Sequence, residues 1–465
     1  MNKQQNISDF MNGEYKSYAR YVAESRAIAQ FADGLKPVQR KALAAAMRFC
    51  QDRTMKVSAL AGKTIADFDY HHGDSSIQGA IVTMAQEFNC GMPWLDRSGQ
   101  FGYLYDKTAG APRYISVSLS GWSKLLLKDD AELKYNLHED TGEKIEPQYY
   151  LPILPMLIIN GTNGIAVGYS TSFINRNPLE VALACREYLA NGAVPDYQLA
   201  PYVQGHTGIW SYWNGQFEHC APWSRKNSTV LLIEGLPMNT TLEKYRGFLN
   251  TLIDQGFIKR WYDLSSKGTT VFEVHMSQAA LDKLIADNAV AGMFNLIYRL
   301  PQDNLTCVMP NMSIKRFASP MQVVREFVDF RIKFYSKRKQ RIIKDLQARI
   351  AYLQSLIKFI DAVNDGTITF RGKTKRDIEL QCEQLQIDKA VMQVQVYSLT
   401  DDHKHKHMTE CLKLQKDLTN IEHTTEQQMY LADLDEVIMH LRKYYKIEQV
   451  LNLKNELLLR PEPYA

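Results

Sequence analysis

A run of aliphatic side chains in the last third of the sequence constrains the fold more than any other feature. Its members recur at alternating spacings of three and four residues, and they are Ile343, Leu346, Ile350, Leu353, Ile357 and Ile360. This spacing is typical of a coiled-coil seam. An Asn-Asp-Gly break follows at 364–366, and the rhythm resumes at Leu414, Leu418 and Ile421. The pattern predicts two long helices that pack antiparallel as a stalk, with the insert near 365–400 at its tip.

The 465 residues of the chain correspond to about three domains at roughly 150 residues each. Apolar residues make up 45% of the chain, which excludes a wholly disordered protein. Within residues 1–150, a helix opened by Pro37 and a second helix over Ser75–Phe88 precede β-prone residues at Tyr114–Leu119. Two helices followed by such a segment suggest a winged helix-turn-helix module.

Residues 151–318 mix helices and strands. The expected strands are Val230–Ile233, Thr270–Val274 and Leu305–Met309, and the expected helices are Leu179–Leu189, Leu242–Gln255 and Met276–Asp287. Residues 319–465 are dominated by helix and contain the coiled-coil seam. The predicted fold class is therefore α+β and helix-rich, with a winged-helix domain, an α/β domain and a long antiparallel coiled coil.

Charge and cysteine content narrow the class of protein. The formal net charge of +4 is nearly neutral and excludes a histone-like polycation, yet the first 60 residues carry ten Lys/Arg against five Asp/Glu. Seven scattered cysteines without a Cys-x-x-Cys pair favour a reducing compartment. The N-terminus has no signal-peptide pattern, and the most apolar run, Tyr150–Asn160, is too short to cross a bilayer. We therefore expect a soluble cytoplasmic protein without a membrane partner.

Basic residues cluster around the predicted start of the Pro37 helix. They are Arg26, Lys36, Arg40, Lys41 and Arg48. Free backbone N–H groups and the helix dipole would add to these side chains, so the segment suits a phosphate group. On charge alone, the solvated basic face of an amphipathic helix is the more common explanation.

His71 and His72 stand in the run Tyr-His-His-Gly-Asp, just before the second predicted helix. In a turn at a helix N-terminus, an imidazole can contact a phosphate or a leaving oxygen. The alternative is a capping turn with Asp74 as N-cap and both histidines at the surface. A zinc site is disfavoured because no nearby carboxylate or cysteine completes a ligand set.

Two further segments offer candidates. Arg113 and Tyr114 follow a Gly-rich loop and a proline, although a tyrosine there is also typical of a half-buried strand. Ile165 lies among three glycines in the segment 160–169. Such glycines permit close approach to another backbone, and an exposed isoleucine between them can wedge between base pairs. The alternative is a tight turn that packs Ile165 into the core.

In their order and spacing, these segments together resemble the DNA-cleaving subunit of type IIA DNA topoisomerases. The resemblance covers nearly the whole chain. Tyr-His-His-Gly-Asp and Pro-Arg-Tyr-Ile are more similar to the eukaryotic and phage forms than to gyrase, whose first motif reads His-Pro-His-Gly-Asp. The closest resemblance is to the medium subunits of T-even-type bacteriophage topoisomerases. It implies that 1–150 is the winged-helix cleavage domain, 151–318 a "tower" domain, and 319–465 a coiled coil with a C-terminal dimerisation gate.

The resemblance also implies roles for the candidates. Tyr114 matches the nucleophile that attacks a DNA phosphodiester, Arg113 the neighbour that stabilises the transition state, and His72 the histidine closest to the reacting phosphate. Ile165 matches the isoleucine that intercalates and helps to bend DNA. The remaining matches are to residues that contact the DNA, and they are Arg26, Lys36, Arg40 and His71, with Lys41 added from its place in the basic cluster.

Cofactors and partners follow from what the sequence lacks. We find no Gly-x-x-x-x-Gly-Lys-Ser/Thr loop and no gyrase-type ATPase signature, so ATP is expected on a partner subunit. The acidic run Asp433-Leu-Asp-Glu436 lies in a helical pattern and is interpreted as a solvated helix face, so no metal ligand is assigned to this chain and the Mg²⁺ ligands are also expected on the partner. The expected partners are double-stranded DNA, a second copy of the chain and the ATPase subunit. Without a DNA-wrapping domain after the coiled coil, relaxation and decatenation are expected rather than negative supercoiling.

Two alternatives remain on sequence grounds: a non-enzymatic winged-helix protein dimerised by its coiled coil, and a coiled-coil structural protein. The basic stretch Arg331–Lys344 fits either a DNA or partner contact or a solvated face. His403, His405 and His407 alternate with lysines. An exposed linker is the favoured interpretation, and metal binding is the alternative.

Overall fold

The computed structural model describes residues 6–129, 133–194, 199–213, 215–238, 240–266, 268–393 and 400–445. The chain divides into two compact units. The first contains the described residues up to 328 together with those from 434 onwards, and the second contains residues 329–433. No described helix is both long enough and apolar enough to cross a membrane. All seven cysteines are free thiols, and six of them are buried.

Helices and strands alternate along the chain. The helices are α1 (Ile7–Phe10), α2 (Lys16–Val22), α3 (Pro37–Phe49), α4 (Val57–Asp67), α5 (Asp74–Ala85), α6 (Gly121–Leu126), α7 (Met156–Ile159), α8 (Pro178–Asn191), α9 (Leu242–Asp254), α10 (Gln278–Ala286), α11 (Val290–Met293), α12 (Pro320–Asn364), α13 (Lys375–Gln384), α14 (Asp401–His423) and α15 (Glu426–Tyr445). Turns of π-helix at Met11–Tyr15 and Ala23–Ala27 make 7–27 one continuous helical segment.

The strands are short and pair antiparallel. They are β1 (Met55–Lys56), β2 (Leu95–Ser98), β3 (Ser116–Leu119), β4 (Tyr135–Leu137), β5 (Lys144–Pro147), β6 (Thr162–Ile165), β7 (Ser170–Phe173), β8 (Ile209–Trp213), β9 (Gln216–Cys220), β10 (Trp223–Asn227), β11 (Val230–Ile233), β12 (Arg260–Asp263), β13 (Phe272–His275), β14 (Ile297–Arg299), β15 (Thr306–Val308) and β16 (Ile314–Arg316). Larger sheets have the orders β1-β3-β2, β14-β9-β8 and β10-β11-β13-β12.

Helices α3, α4 and α5 pack beside the small sheet β1-β3-β2. Helix α3 begins where the sequence predicts, because Pro37 fits the first turn and the Gln39 side chain accepts the Lys36 amide at 2.9 Å. The second predicted helix is also confirmed as α5, but its N-cap is Gly73 and Asp74 lies in the first turn. Strand β3 starts two residues after Tyr114, which places the tyrosine in a turn rather than in the sheet.

The sheet β10-β11-β13-β12 carries the core of the middle segment. Alternate side chains of β11 and β13, such as Ile233 and Phe272, pack against Tyr245 and Leu249 of α9 and against Leu281 of α10. The predicted helices of this segment correspond to α8, α9 and α10, and the predicted strands to β11, β13 and β15, with ends shifted by at most a few residues. Such shifts are expected because helix and strand ends are set by local capping.

In the second unit, α12 and α14 run antiparallel. Arg349 of α12 pairs with Glu410 of α14 at 2.9 Å, and farther along α12 Asp361 pairs with Lys404 at 2.5 Å. Partner numbers fall along α14 as they rise along α12, which confirms the predicted direction. The seam residues Ile350, Leu353 and Ile360 are buried. Helix α12 ends at Asn364, at the predicted break, and the described part of the insert contains α13 and a 3₁₀ turn at Lys389–Gln393.

Two interpretations of this region were wrong. The solvated-face interpretation of the acidic run was wrong for Asp433, whose carboxylate is buried and accepts hydrogen bonds from the Tyr335 hydroxyl at 2.8 Å and from Arg338. Asp435 and Glu436 of the same run are exposed, as expected. The three alternating histidines lie within helix α14, so they do not form a linker. In the basic stretch, Arg331 is fully buried with its guanidinium 4.7 Å from the Tyr335 ring centre. At least part of the charge of this stretch is therefore structural.

Candidate functional site

Tyr114 combines a fixed backbone with a free side chain. Its amide donates to the Ala111 carbonyl at 2.8 Å, and the residue is 71% exposed. The flanking backbone is held to the start of α4, because the amides of Val57 and Ser58 donate to the carbonyls of Ile115 and Pro112 at 3.1 and 3.2 Å. The phenol therefore projects into solvent from a turn that is tied on both sides.

Two cations flank this tyrosine. The Arg113 guanidinium lies 5.6 Å from the Tyr114 ring centre, within cation–π range. The Lys56 ammonium donates to the Tyr114 carbonyl oxygen at 3.1 Å. Sequence reasoning found Arg113 from its adjacency but missed Lys56. The pairing of Lys56 with Ser116 in the β1-β3 ladder brings the lysine to the site, and no local motif in the sequence signals it.

A groove of about 1030 Å³ brings most of the other candidates together. It is lined by five of the predicted residues, namely Arg26, Lys36, Lys41, His71 and His72. Arg40, Arg113, Tyr114 and Ile165 are not among its lining residues. The groove also contains backbone from the segment Asn160–Asn163. Three of its five predicted residues are lysine or arginine, so its described surface suits a polyanion.

The basic side chains that line the groove differ in burial and in their contacts with the protein. Arg26 is exposed, whereas Lys36 is partly buried, which lowers the pKa of its ammonium. Lys36 also donates to the Asn163 carbonyl at 2.7 Å and so ties α3 to strand β6. The Lys41 ammonium donates to the Phe68 carbonyl at 2.6 Å and contacts the Glu146 carboxylate at 3.2 Å. Both lysines are thus positioned by the protein before any ligand arrives.

Arg40 does not fit the predicted phosphate contact. It is buried, and its guanidinium makes two hydrogen bonds to the Asp33 carboxylate, at 2.8 and 3.0 Å, and one to the Leu35 carbonyl at 3.0 Å. Burial acts to lower the pKa of Arg40, but the charge and hydrogen bonds of Asp33 outweigh it and raise the pKa above its ordinary value. Asp33 also accepts the Tyr150 amide at 3.0 Å. The pair therefore braces the loop that presents Lys36.

The two histidines occupy the turn before α5. His71 is exposed and its Nε2 lies 2.9 Å from Oδ1 of Asp69. His72 is also exposed, and its ring packs edge-on against Tyr70 at a centroid distance of 5.4 Å. Both imidazoles face the groove, so the capping turn and a ligand-contacting role are compatible with each other.

Ile165 is 89% exposed at the end of strand β6. The alternative in which it packs into the core is therefore wrong. The hairpin beneath it is closed by the Ala166 amide, which donates to the Tyr169 carbonyl at 2.8 Å. Position 164 requires glycine, because a Cβ there would lie 2.0 Å from the Ala27 carbonyl oxygen. The predicted close approach of two backbones thus occurs at Gly164.

The acidic run in α15 offers no free carboxylate cluster for Mg²⁺. Asp435 pairs with Arg186 at 2.6 Å and Glu436 with Lys128 at 2.5 Å, while Asp433 accepts the Tyr335 hydroxyl.

A different group could hold a metal. The ligand atoms of Asp69, His71 and Glu139 lie within 4.8 Å of one another. Carboxylates therefore do lie near the histidines, with Asp69 two residues before His71 and Glu139 distant only in sequence.

Comparison with known proteins identifies the family of the chain. The family model for the A subunits of DNA gyrase and topoisomerase IV matches residues 26–436. The chain belongs to this family. A crystal structure of the DNA-binding, cleavage and re-ligation domain of Plasmodium falciparum topoisomerase II superimposes with a TM-score of 0.82 at 27% identity, over 96% of this chain and 65% of that one. The mixed helix and strand fold is thus shared with that domain.

Individual relatives are eukaryotic-type enzymes. The chain is 28% identical to mitochondrial DNA topoisomerase 2 of Dictyostelium discoideum, over 96% of this chain and 36% of that protein. It is 31% identical to DNA topoisomerase 2 of Plasmodium falciparum, over 79% of this chain and 27% of that protein. The chain thus spans about a third of the length of these relatives.

Proposed function

We propose that the chain is the DNA-cleaving and rejoining subunit of an ATP-dependent type IIA DNA topoisomerase. It makes a transient double-strand break through 5′-phosphotyrosyl links and lets a second duplex pass, so that DNA is relaxed or decatenated. One observation carries the proposal: Tyr114 is 71% exposed on a tied turn beside Arg113, in a chain of the gyrase A family. A simple DNA-binding protein or a structural coiled coil has no need of such a tyrosine.

The chemistry follows from the properties of a phenol. Tyr114 Oη forms a bond to phosphorus while the bond from phosphorus to the 3′ oxygen breaks. The phenolic proton passes to solvent and the 3′ oxygen gains a proton. Because a phenol has a pKa near 10, attack at neutral pH benefits from nearby positive charge, which Arg113 provides. The phosphotyrosine retains the energy of the broken bond, so religation requires no external energy.

Charge on the phosphoryl oxygens grows in the transition state, and Arg113 and His72 are placed to meet it in this proposal. Arg26, Lys36, Lys41 and His71 hold the DNA backbone in the groove that they line. Arg40 acts through Asp33 as a positioning residue instead of contacting phosphate. Ile165, exposed at the end of β6, enters the base stack and favours bending.

The domain assignment stays part of the proposal. Residues 1–150 form the winged-helix cleavage domain, 151–318 the tower, and 319–465 the coiled coil with its dimerisation gate. The antiparallel pairing of α12 and α14 supports the coiled-coil assignment. The end of the gate, 446–465, lies outside the described residues. A homodimer is required, because two equivalent sites must cut two antiparallel strands.

Cofactors are assigned to a partner subunit in this proposal. Mg²⁺, bound by the partner's acidic residues, would stabilise charge on the reacting oxygens, and ATP would be bound there too. The Tyr-His-His-Gly-Asp motif is similar to the eukaryotic and phage forms. Within the family, we propose a medium subunit of the T-even bacteriophage kind, acting in the cytoplasm of the host cell.

The test is capture of the covalent intermediate. The protein is mixed with the partner subunit, magnesium and supercoiled DNA, and detergent traps any protein bound to 5′ ends. Tyr114→Phe should abolish the adduct while DNA binding survives. Tyr103→Phe is the matched control, because Tyr103 is also exposed in the same region and should leave the adduct intact. An adduct that persists in Tyr114→Phe would show that the nucleophile is another residue.

A further inference from the structure

Three potential metal ligands from two separate chain segments meet beside the groove. Asp69 and His71 lie in the loop between α4 and α5, and Glu139 lies in the turn between β4 and β5. That turn is closed by backbone hydrogen bonds, from the His138 amide to the Glu143 carbonyl at 2.8 Å and from the Gly142 amide to the His138 carbonyl at 2.9 Å. These bonds hold the backbone of the turn that carries Glu139 in a defined shape.

The charges of the group call for a cation. Among the described residues, neither the Asp69 nor the Glu139 carboxylate forms an ion pair with a lysine or arginine, and the one recorded partner is His71 with Asp69. Two carboxylates therefore share a small space with a single imidazole. This is unusual on a face that is otherwise basic, where Lys36 and Lys41 line the same groove as Asp69. Like charges this close repel one another unless a cation lies between them.

The spacing suits a transition metal. A protein nitrogen or oxygen lies about 2.0–2.2 Å from a bound divalent ion, so three ligand atoms around one ion are about 3.3–3.8 Å apart. The widest separation allowed here therefore has to shrink by about 1.0–1.5 Å on binding. The three atoms here lie within 4.8 Å of one another, and exposed side chains can make this adjustment by rotating about their own bonds. Imidazole suits Zn²⁺ and Fe²⁺ and carboxylates suit Mn²⁺, so one imidazole with two carboxylates favours a first-row transition metal, whereas Mg²⁺ prefers oxygen alone.

From these observations we infer that Asp69, His71 and Glu139 form a site for one first-row divalent transition-metal ion. Three protein ligands leave coordination positions open. Asp69 and His71 line the groove, so an open position faces it and takes a phosphate oxygen of the bound DNA. The metal site stands independently of the proposed function, and only its phosphate ligand rests on that function.

The first experiment measures metal binding without DNA and without the partner subunit. Mn²⁺ is titrated into the full 465-residue chain, and free Mn²⁺ is followed by electron paramagnetic resonance. We expect one equivalent to bind, with affinity at least about tenfold weaker in His71→Ala and in Glu139→Gln, since loss even of an outer-shell group costs that much. Unchanged affinity in both variants would overturn the site. Because both side chains are exposed, neither substitution should impair folding, which thermal unfolding checks.

Two controls locate the ion. Glu143→Gln lies in the same turn as Glu139 but outside the ligand group, so it should bind Mn²⁺ like the unaltered chain. His403 and His407 stack one turn apart on α14, with ring centres separated by 6.5 Å, and are the obvious competing site. If the double variant His403→Ala/His407→Ala loses the binding, the ion lies on α14 and the inference is wrong.

The second experiment tests the phosphate ligand. Duplex DNA is added to the unaltered chain and to Glu139→Gln, and the Mn²⁺ titration is repeated. Tighter Mn²⁺ binding with DNA in the unaltered chain alone would support a shared phosphate. DNA binding without any change in Mn²⁺ affinity would remove the phosphate from the inference and leave the three-residue site. Absence of DNA binding would count against the proposed function and not against the metal site.

Discussion

Tyr114 illustrates how this chain divides labour among single residues. Its carbonyl accepts from Lys56, its amide donates to Ala111, and its ring packs against the adjacent Arg113. A tyrosine nucleophile needs a fixed backbone and an accessible phenol, because a displacement of the reacting group by about an ångström slows the reaction. Lys56 is therefore a positioning residue in the proposed reaction.

Replacing Lys56 should slow cleavage without weakening DNA binding. Lys56→Met removes the hydrogen bond to the Tyr114 carbonyl and should reduce the rate of adduct formation about tenfold or more. Lys56→Arg should recover much of the rate, because a guanidinium can donate to the same oxygen. Rates are measured by detergent trapping over time, alongside the DNA dissociation constant. Lys63→Met, an exposed lysine on α4, is the control, and equal rates in Lys56→Met and Lys63→Met would contradict the role.

Substitutions at Arg40 and Arg26 should have different effects, the first on protein stability and the second on DNA binding. Arg40→Met leaves the buried Asp33 carboxylate without its cation, which should cost about 3–5 kcal/mol of unfolding free energy. Arg26→Met removes an exposed charge and should change stability by less than about 0.5 kcal/mol while weakening DNA binding. Urea unfolding and a binding titration measure both effects. If Arg40→Met proves as stable as Arg26→Met, Arg40 does not brace the loop.

At the scale of elements, periodic and capped segments were predictable and cross-strand neighbours were not. Helix α3 follows from Pro37, and the end of α12 follows from the Asn-Asp-Gly break, since both signals act within a few residues. Lys56 lies beside Tyr114 because strand β1 pairs with β3, and Glu139, in a hairpin turn, lies close to His71. Neither juxtaposition has a period or a local motif, so a single sequence cannot reveal it.

The β6-β7 hairpin carries the exposed Ile165 side chain, whose proposed effect on DNA bending can be tested directly. Ile165→Ala removes the apolar side chain at its end and should reduce the bend of bound DNA, measured by energy transfer between dyes at the duplex ends. Leu137→Ala is the control, because Leu137 is also an exposed aliphatic residue on a hairpin strand. The same bend in Ile165→Ala as in Leu137→Ala would exclude the wedge.

At the scale of the whole molecule, the sequence predicted the coarse organisation better than the roles of buried charges. The coiled-coil spacing correctly indicated an antiparallel helix pair, because burial of a seam is a property of the period itself. Asp433 and Arg40 both belong to runs that look solvated in one dimension, yet each is buried against a partner far along the chain or across a turn. A charged residue is buried only where the fold brings a group of opposite charge or a hydrogen-bond partner close to it. The sequence alone does not show which residues come that close.

The tied turn around Tyr114 has a mechanical consequence. In the proposed reaction, a cleaved DNA end hangs from the protein by one covalent bond, so any pull on the duplex enters the chain at Tyr114. The bonds from Val57 and Ser58 to the flanking carbonyls, with the Lys56–Ser116 pairing, pass that load to the start of α4. Several hydrogen bonds share the tension in parallel, so the turn resists peeling. The DNA end and the helical body then move as one piece.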